Sequence, residues 1–319
     1  MILFYGGRRL LEFEHKTVLV AETISNLNIN PDGIYVDCTA GGGGLSFEIA
    51  SRLSRRGKLI CIDQDPDAIN VCRRRLAQFE NVSIVHGNFS EISRIVHSFG
   101  IDYVDGIVLD IGVSSYQLDS ADRGFSYKND AILDMRMSKT GKSARDVVNS
   151  LNYLELKKII KNYGEEEFAS RIADLIVKKR ITKSINTTCE LADIVSQAIP
   201  CYAKRCGGHP ARKTFQAIRI YVNNELANLE KCLDQSVELL KSFGRLLIIT
   251  FHSLEDRIVK QKMSFWAKPC ICPPDFPVCV CGAKPKIELI IKKPIVASAC
   301  EVAENFRSRS AKLRVCVKI

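Results

Sequence analysis

Four consecutive glycines, Gly41 to Gly44, are the first stretch of this sequence with the composition of a ligand-binding site. They follow the apolar residues 34–36 and precede apolar residues at helical spacing, which begin after Ser46. Glycine permits positive φ angles and leaves room for a ligand to lie against the backbone. A strand, a glycine turn and a helix in this order are typical of the crevice in which nucleotide-like cofactors bind.

A carboxylate stands where such a cofactor would present its ribose. Asp63 ends the next predicted strand, residues 59–63, and lies 20 positions after Gly43. A carboxylate there accepts hydrogen bonds from ribose hydroxyls in both dinucleotides and S-adenosylmethionine, so it does not distinguish these cofactors. The G-x-G-x-x-G pattern of dinucleotide sites is incomplete, because Ser46 takes the place of its third glycine.

A second carboxylate, Asp110, ends the predicted strand 104–110 and precedes the polar loop 114–119. A dehydrogenase has no need of this arrangement, whereas a methyltransferase acting on a nucleobase amine does. The lone pair of such an amine is delocalised into the ring, and acceptors that hold its N–H groups favour in-line attack on a sulfonium methyl. We expect Asp110 to orient an amine; a structural cap at the strand end is the alternative.

The residues around these candidates alternate between strand and helix patterns. Strand patterns at 34–36, 59–63, 82–86 and 104–110 are separated by helix patterns, which predicts a parallel, doubly wound α/β sheet. The alternation stops over residues 113–213, where only helix patterns occur. We therefore predict an all-helical domain inserted after the fourth strand.

The remaining residues return the chain to the sheet. One long helix is predicted over 214–240, capped by Gly244, and a fifth strand over 245–250. Strand patterns at 287–291 and 312–318 predict an antiparallel pair at the sheet edge. The sheet domain is thus predicted in two parts, residues 1–112 and 214–319, around the insertion 113–213.

The overall composition is that of a globular protein with a basic surface. The chain has 319 residues, of which 46% are hydrophobic and 26% charged, and a net charge of +10 that suits a polyanionic partner. No apolar run approaches the 18 or so residues of a transmembrane helix, and the apolar segment at the N-terminus is too short for a signal peptide. We expect a cytoplasmic protein that makes no contact with membranes.

Several longer motifs span nearly the whole chain. They are residues 37–44 (DCTAGGGG), 112–119 (GVSSYQLD), 123–126 (RGFS), 133–137 (LDMRM), 209–212 (HPAR), 214–217 (TFQA), 251–257 (FHSLEDR) and 309–314 (RSAKLR). Together these motifs resemble one family, the ribosomal RNA small subunit methyltransferase H family, which is specific for cytosine N4 in 16S rRNA.

The resemblance implies a Rossmann-like methyltransferase sheet, S-adenosylmethionine as cofactor, and a cytidine in the decoding region of small-subunit ribosomal RNA as substrate, either in free RNA or in the assembled subunit. Asp110 stays the predicted catalytic residue because of its place at the end of strand 104–110, as argued above. The resemblance also implies a set of cofactor-binding residues: Gly43, Gly44, Leu45, Asp63, Phe89, Asp110 and Gln117. The oligomeric state is left unassigned.

This sequence departs from the family pattern at Leu45, where the family usually has His, at Tyr116, where it usually has Pro, and within 304–310. Leu45 keeps open the alternative of an RNA-binding ribosome-assembly factor with little or no activity. A DNA amino-methyltransferase is a second alternative, disfavoured because the Asp/Asn-Pro-Pro-Tyr tetrad is absent.

RNA contacts are expected from loop aromatics and from basic residues. The aromatic candidates for holding the flipped base are Tyr116, Phe125, Phe251 and His252. The candidates for phosphate contacts are Lys204, Arg205, Arg212, Lys213, Arg307 and Arg309.

Four of the 13 cysteines form two C-x-C pairs, Cys270 with Cys272 and Cys279 with Cys281. Four thiols in so short a segment have the composition of a zinc site. The pairs are tighter than the usual C-x₂-C spacing, and methyl transfer needs no metal. The sequence prediction therefore assigns no metal.

Overall fold

The computed structural model describes residues 17–204, 208–272 and 281–319. Within them, eight strands form a single sheet. In chain order they are β1 (Ile34–Asp37), β2 (Lys58–Asp63), β3 (Val82–His86), β4 (Val104–Asp110), β5 (Leu240–Thr250), β6 (Ile287–Leu289), β7 (Ile295–Val296) and β8 (Lys312–Lys318).

Helices follow most of these strands. In chain order they are α1 (Val20–Leu27), α2 (Gly44–Ala50), α3 (Pro66–Arg75), α4 (Ile92–His97), α5 (Ser115–Asp119), α6 (Ala144–Ser150), α7 (Tyr153–Gly164), α8 (Ala169–Thr182), α9 (Thr188–Ala198), α10 (Cys201–Lys204), α11 (Arg212–Asn223), α12 (Glu225–Leu239), α13 (Ser253–Ala267) and α14 (Ala299–Glu304).

The sheet has the order β3-β2-β1-β4-β5-β8-β6, with β7 also paired to β8. Strands β1 to β5 pair in parallel, and β8 runs antiparallel to β5, β6 and β7. The predicted Rossmann-like sheet, mainly parallel with antiparallel pairing at one edge, is confirmed. The strand order reverses between β1 and β4, which is where doubly wound sheets bind their ligands.

Helices cover both faces of the sheet, and each face has its own hydrophobic core. Consecutive residues of a strand point to opposite faces, so they belong to different cores. Val36 and Ile107 lie in a core formed with α4, α12 and α13. Tyr35 and Val108, one position away in each strand, lie in the other core, formed with α1, α2 and α3. Continuous apolar strands such as β2 are therefore buried on both sides, as is typical of parallel sheets.

The predicted helical segment has a core of its own. Helices α6, α7, α8 and α9 bury one face each around residues such as Val147, Ile160, Ile172 and Val195. Polar caps begin several of these helices; Asn152, for example, forms a reciprocal capping box with Glu155 at the start of α7. The domain limits 113 and 213 stay a prediction, since α11 also contributes Phe215 to this core.

The single helix predicted over residues 214–240 is wrong, because two helices occupy this segment. Asn224 has φ 51° and ψ 37°, a left-handed conformation that Asn tolerates better than most residues, and it separates α11 from α12. The apolar periodicity continues through the break because both helices are amphipathic. They serve different cores: Ile218 of α11 packs in the helical core and Leu233 of α12 packs against the sheet.

The predicted start of the fifth strand is also wrong. Strand β5 begins at Leu240, directly after α12, and not after a helix cap at Gly244. Leu240 pairs with Val104 and Arg245 pairs with Gly106, so residues 241–244 form a bulge in the ladder. Turn residues in a bulge and at a helix end have the same sequence signature, which is why the pattern misplaced the boundary.

Candidate functional site

The glycine turn lies at the carboxyl end of β1, where its shape depends on positive φ angles. Gly41 has φ +52° and Gly43 has φ +76°, a region that residues with a Cβ rarely adopt. Gly44 begins α2 so close to Thr17 that a Cβ would lie 2.1 Å from its Oγ1 atom. The turn is closed by the Gly43 N–H, which donates to the carbonyl of Ala40.

Asp63, at the end of β2, holds the glycine turn through its carboxylate. One oxygen accepts the N–H of Gly41 and the other accepts the N–H of Asp65, both at 2.8 Å. Burial raises the pKa of Asp63 to about 6, against the lowering effect of these two hydrogen bonds, and the nearby carboxylates of Asp65 and Asp37 contribute to the increase. Asp63 therefore shapes the turn and also has oxygen lone pairs left to accept from a ligand.

A chain of hydrogen bonds joins the glycine helix to Asp110. Ser46 Oγ of α2 donates to the buried carboxylate of Asp37 at 2.5 Å, and Asp37 also accepts the N–H of Thr39. Burial raises the pKa of Asp37 to about 6, against the lowering effect of these two bonds. Thr39 Oγ1 in turn accepts the backbone N–H of Asp110 at 2.6 Å, which ties the ends of β1 and β4 together.

The side chain of Asp110 has an oxygen without a hydrogen-bond partner. Its Oδ1 atom is buried and accepts no hydrogen bond. Burial, followed by the negative charges of Asp37 and Glu255, raises the pKa of Asp110 to about 8. A buried carboxyl oxygen without a donor is costly, so it indicates a place that a ligand's N–H or positive charge occupies.

These residues border one cavity of about 1140 Å³, including space open to solvent. Six of the seven predicted cofactor-binding residues line it: Gly44, Leu45, Asp63, Phe89, Asp110 and Gln117. Gly43 is not among the lining residues; it packs towards Cys72, whose Sγ lies 3.3 Å from where a Cβ would be. The structure thus brings together residues that are up to 73 positions apart, from Gly44 to Gln117.

The cavity is also lined by residues that the sequence did not predict to bind the cofactor. Asn223, Glu225 and Asn228, on either side of the break between α11 and α12, and Asn305 all line the cavity. Arg307 also lines it, although the sequence suggested only a phosphate contact. For Asn305 and Arg307 a signal was available, because segment 304–310 corresponds to a family motif from which this sequence departs in part. Nothing in the local pattern around the break indicated the first three.

Gln117 has its polar atoms engaged within the protein. Its side-chain oxygen accepts the N–H of Ser114, and its amide nitrogen donates to Asp65 at 2.8 Å. The buried guanidinium of Arg123 donates to the same Asp65 oxygen at 2.7 Å and to the carbonyls of Arg136 and Met137. This network positions α5 against the start of α3 and forms one wall of the cavity.

A second cleft, of about 1520 Å³ including open space, lies between the helical segment and the end of β5. Its lining includes the exposed residues Arg212 and Lys213 together with Phe251, His252 and Ser253. Phe251 lines both cavities, so the two are adjacent at this residue. A molecule in the second cleft can therefore approach a cofactor in the first.

His252 and Glu255 form a buried pair at the start of α13. His252 Nε2 lies 3.0 Å from Glu255 Oε1, and Glu255 also accepts the N–H of Phe251. Burial raises the pKa of Glu255, but His252 and the Arg219 guanidinium outweigh this effect and the net pKa is lowered. Arg219 also forms a buried ion pair with Glu225. The fixed pair positions the backbone of Phe251 where the two cavities meet.

The residues predicted to contact RNA differ in their exposure and in whether the structure describes them. Phe125 is wrong as a base contact, because it is buried in the helical core with its ring near Arg123. Arg309 lies over the ring of Phe306, which is 67% exposed. Arg205 and the side chain of Lys204 lie outside the described residues. Across the part of the chain that is described, no helix has the length and apolar composition of a membrane crossing.

Comparison with known proteins gives the same result as the motifs. The model of the MraW methylase family matches residues 12–319 of this sequence. The chain belongs to this family. S-adenosylmethionine is accordingly its cofactor, as predicted. The cavity fits that molecule through the glycine turn, the Asp63 carboxylate and the unsatisfied Asp110 oxygen.

Relatives of the family are similar over their whole length. A protein of Clostridium botulinum (strain Kyoto / Type A2) named ribosomal RNA small subunit methyltransferase H is 58% identical over 310 residues, covering 97% of this chain and 100% of the relative. A protein of the same name from Lachnospira eligens is 54% identical over 312 residues, covering 97% and 99%. The resemblance seen in the motifs is thereby confirmed.

Solved structures are similar at a lower level. SMU.1697c, a putative methyltransferase from Streptococcus mutans in complex with SAH, has a TM-score of 0.45 and 12% identity, with coverage of 94% of this chain and 97% of the other. A putative rRNA-methylase from Clostridium thermocellum has a TM-score of 0.44 and 12% identity, with coverage of 95% and 98%.

Proposed function

We propose that this protein transfers a methyl group from S-adenosylmethionine to N4 of a cytidine in the decoding region of 16S ribosomal RNA. Relatives at 54–58% identity over the full chain, named for methylation of small-subunit ribosomal RNA, support the RNA class. The base and the atom are those that the motif resemblance implies, and the single observation that supports an amine substrate is the buried, unsatisfied Asp110 Oδ1 at the wall of the cofactor cavity. A ribosomal substrate also implies action in the cytoplasm.

The cofactor supplies an electrophilic methyl group on a positively charged sulfur. Asp63 accepts the ribose hydroxyls, and Gly44 with Leu45 provides a backbone surface against which the cofactor lies. The remaining predicted contacts are Gly43, whose φ shapes the turn, Phe89, which flanks the adenine, and Gln117, which supports the wall. When bound, S-adenosylmethionine would bring a positive charge into the cavity that Asp110 lines, and a positive charge close to this carboxyl would favour its ionised form.

The target cytidine enters from the second cleft, where Phe251 borders both cavities. Arg212 and Lys213 contact the phosphates of the strand. Asp110 Oδ1 accepts one N4–H, which orients the amine so that its lone pair faces the methyl carbon. Methylation would release one proton from the amine, and the ionised carboxylate of Asp110 would accept it.

The experiment uses small ribosomal subunits from cells that lack the endogenous enzyme, incubated with the protein and labelled S-adenosylmethionine. Nuclease digestion and chromatography of the nucleosides then locate the label. We expect label in N4-methylcytidine at a single position. Label in another nucleoside, or none at all, would reject the assignment.

Two variants test the role of Asp110. Asp110→Asn keeps the size of the side chain and should lower the methylation rate by about 100-fold or more, because an oriented acceptor is lost. Asp102→Asn changes an exposed carboxylate outside the site and should leave the rate unchanged. Equal rates for the wild type and Asp110→Asn would remove Asp110 from the chemistry.

A further inference from the structure

The two described ends of the connection between α13 and β6 lie next to each other. Helix α13 ends at Ala267, and the N–H of Lys286 donates to the carbonyl of Trp266 at 2.8 Å. The outgoing part carries Cys270 and Cys272, and the returning part carries Cys281. This closed excursion lies beside the short edge strand β6.

The described residues of this connection have no hydrophobic core to hold them. None of residues 268–272 or 281–286 is buried, and the side chain of Ile271 is 77% exposed. Segments that bury little apolar surface depend on a covalent or metal crosslink for order. The two described ends of the connection lie together, although no residue in 268–272 or 281–286 is buried there.

The cysteines of the connection also differ from those of the sheet. Cys38, Cys61, Cys72, Cys232 and Cys316 are buried, where a thiol acts as a small hydrophobic group. Cys270 is exposed, and Cys272 and Cys281 are intermediate, so packing does not account for the three. Their position together on the surface requires another reason.

The three sulfurs converge at a separation that suits a metal ion. The Sγ atoms of Cys270, Cys272 and Cys281 all lie within 4.8 Å of one another, and those of Cys270 and Cys281 are 3.8 Å apart. Zinc bound to thiolates at about 2.3 Å in a tetrahedron places its sulfurs about 3.8 Å apart. A disulfide would require about 2.05 Å.

We propose that Cys270, Cys272 and Cys281 bind one zinc ion as thiolates, and that the ion joins the two ends of this connection. Soft thiolate ligands in tetrahedral geometry select zinc over magnesium or calcium. The proposal rests on these three thiols alone, since Cys279 lies outside the described residues. It differs from the assignment made from C-x-C spacing, because folding brings the Sγ atoms of Cys281 and Cys270 to 3.8 Å, a distance that the spacing does not convey.

The zinc ion has a structural role and takes no part in methyl transfer. Helix α13 begins beside Phe251 at the two cavities and has 15 residues, so it places the thiols about 22 Å away along its axis. Its binding holds the start of β6 and the buried Trp266 in place. The inference is therefore independent of the proposed substrate.

The first test measures zinc in the full-length protein purified without chelators, loaded with zinc and dialysed. Elemental analysis should give about one zinc per chain. The single variants Cys270→Ser, Cys272→Ser and Cys281→Ser should each lose most of this zinc, because a protein site with one thiolate fewer binds more weakly. Cys201→Ser, which changes an exposed cysteine of α10, should keep it. Less than about 0.1 zinc per chain in the wild type would overturn the proposal.

The second test needs no variant and so does not depend on the folding of one. Zinc-loaded and chelator-treated wild-type protein are alkylated with iodoacetamide, and mass spectrometry follows each cysteine. Zinc should slow the modification of Cys270, Cys272 and Cys281 at least about tenfold and leave Cys201 unaffected. Equal modification rates with and without zinc, or a disulfide among the three in freshly purified protein, would overturn the proposal.

The third test separates a structural ion from a catalytic one. Removal of zinc should lower the melting temperature by about 4 °C or more, and zinc but not magnesium should restore it. The affinity for S-adenosylmethionine, measured by calorimetry, should stay unchanged, because the site lies at the far end of α13. A melting temperature that does not respond to zinc would refute the structural role.

Discussion

Asp63 should make the affinity for S-adenosylmethionine depend on pH in a defined way. Burial raises its pKa to about 6, although the N–H groups of Asp65 and Gly41 donate to its two oxygens. The carboxylate accepts ribose hydroxyls without giving up these backbone bonds, whereas the protonated acid uses one oxygen as a donor. The carboxylate form of Asp63, which binds the cofactor, therefore predominates at pH values above the pKa of Asp63 and is lost as the pH falls below it.

The magnitude follows from the ionised fraction. At pH 5, one unit below a pKa of about 6, roughly one molecule in eleven carries the carboxylate, so the dissociation constant should rise about tenfold relative to the fully ionised site. Asp63→Ala removes the acceptor at every pH. Loss of a hydrogen bond to a charged group costs about 1.5–3 kcal/mol, so this variant should bind at least about tenfold more weakly at pH 7.5.

The assay is calorimetric titration of S-adenosylmethionine into wild type, Asp63→Ala and the exposed control Asp102→Ala at pH 5, 6 and 7.5. Asp37 and Asp110 titrate in both wild type and Asp63→Ala, so the difference between the two profiles reports Asp63, including its interaction with Asp37. The gap should shrink about tenfold between pH 7.5 and pH 5. Parallel profiles for wild type and Asp63→Ala would refute the reasoning, and circular dichroism at each pH verifies that the fold is intact.

Three other predictions concern the wall of the site, its turns and its pH profile. Arg123→Ala should lower the free energy of unfolding in urea by about 3–5 kcal/mol, because it leaves Asp65 buried without its cation. The control Arg52→Ala, in an exposed ion pair, should change this free energy by less than about 1 kcal/mol. Similar urea midpoints for the two variants would contradict the role of the network. Gly124→Ala would place a Cβ 2.3 Å from the carbonyl oxygen of Ile132, whereas a Cβ at Gly141, which also has a positive φ, would have no atom within 4 Å. Thermal melts should therefore show that only Gly124→Ala destabilises the protein by more than about 2 kcal/mol. The methylation rate of the wild type should rise with pH through an apparent pKa at or below 8, because Asp110 ionises in this range. The rate of Asp110→Asn should not change over the same range. A wild-type rate that falls as pH rises would contradict a role for the ionised carboxylate.

Local sequence patterns were sufficient for the first four strands and for the carboxyl ends of β2 and β4, although they misplaced the break between α11 and α12 and the start of β5. Apolar runs in β2 and β4 and the glycines between β1 and α2 are recognisable over a few residues, because strand, turn and helix depend on nearest neighbours. The carboxylates Asp63 and Asp110 were predicted for the same reason. Parallel strands end at one edge of a sheet, so their last residues must meet whatever the rest of the fold does.

The contacts between distant segments were decided by packing and not by pattern. Asn223 and Asn228 reach the cavity because a left-handed Asn224 turns α12 away from α11, which the continuous amphipathic pattern conceals. The pattern likewise gives no means of separating Phe125, which is buried, from Phe251, which borders both cavities.

The sequence by itself thus determined the family, the sheet and the two carboxylates that end β2 and β4, since each depends on residues close together in the chain. Only the tertiary structure decided that Asp110 keeps an oxygen without a donor, and that Cys281 meets Cys270 at 3.8 Å. The reason is physical: desolvation and side-chain separation are set by every segment that folds over a residue, and periodicity describes only the segment to which it belongs.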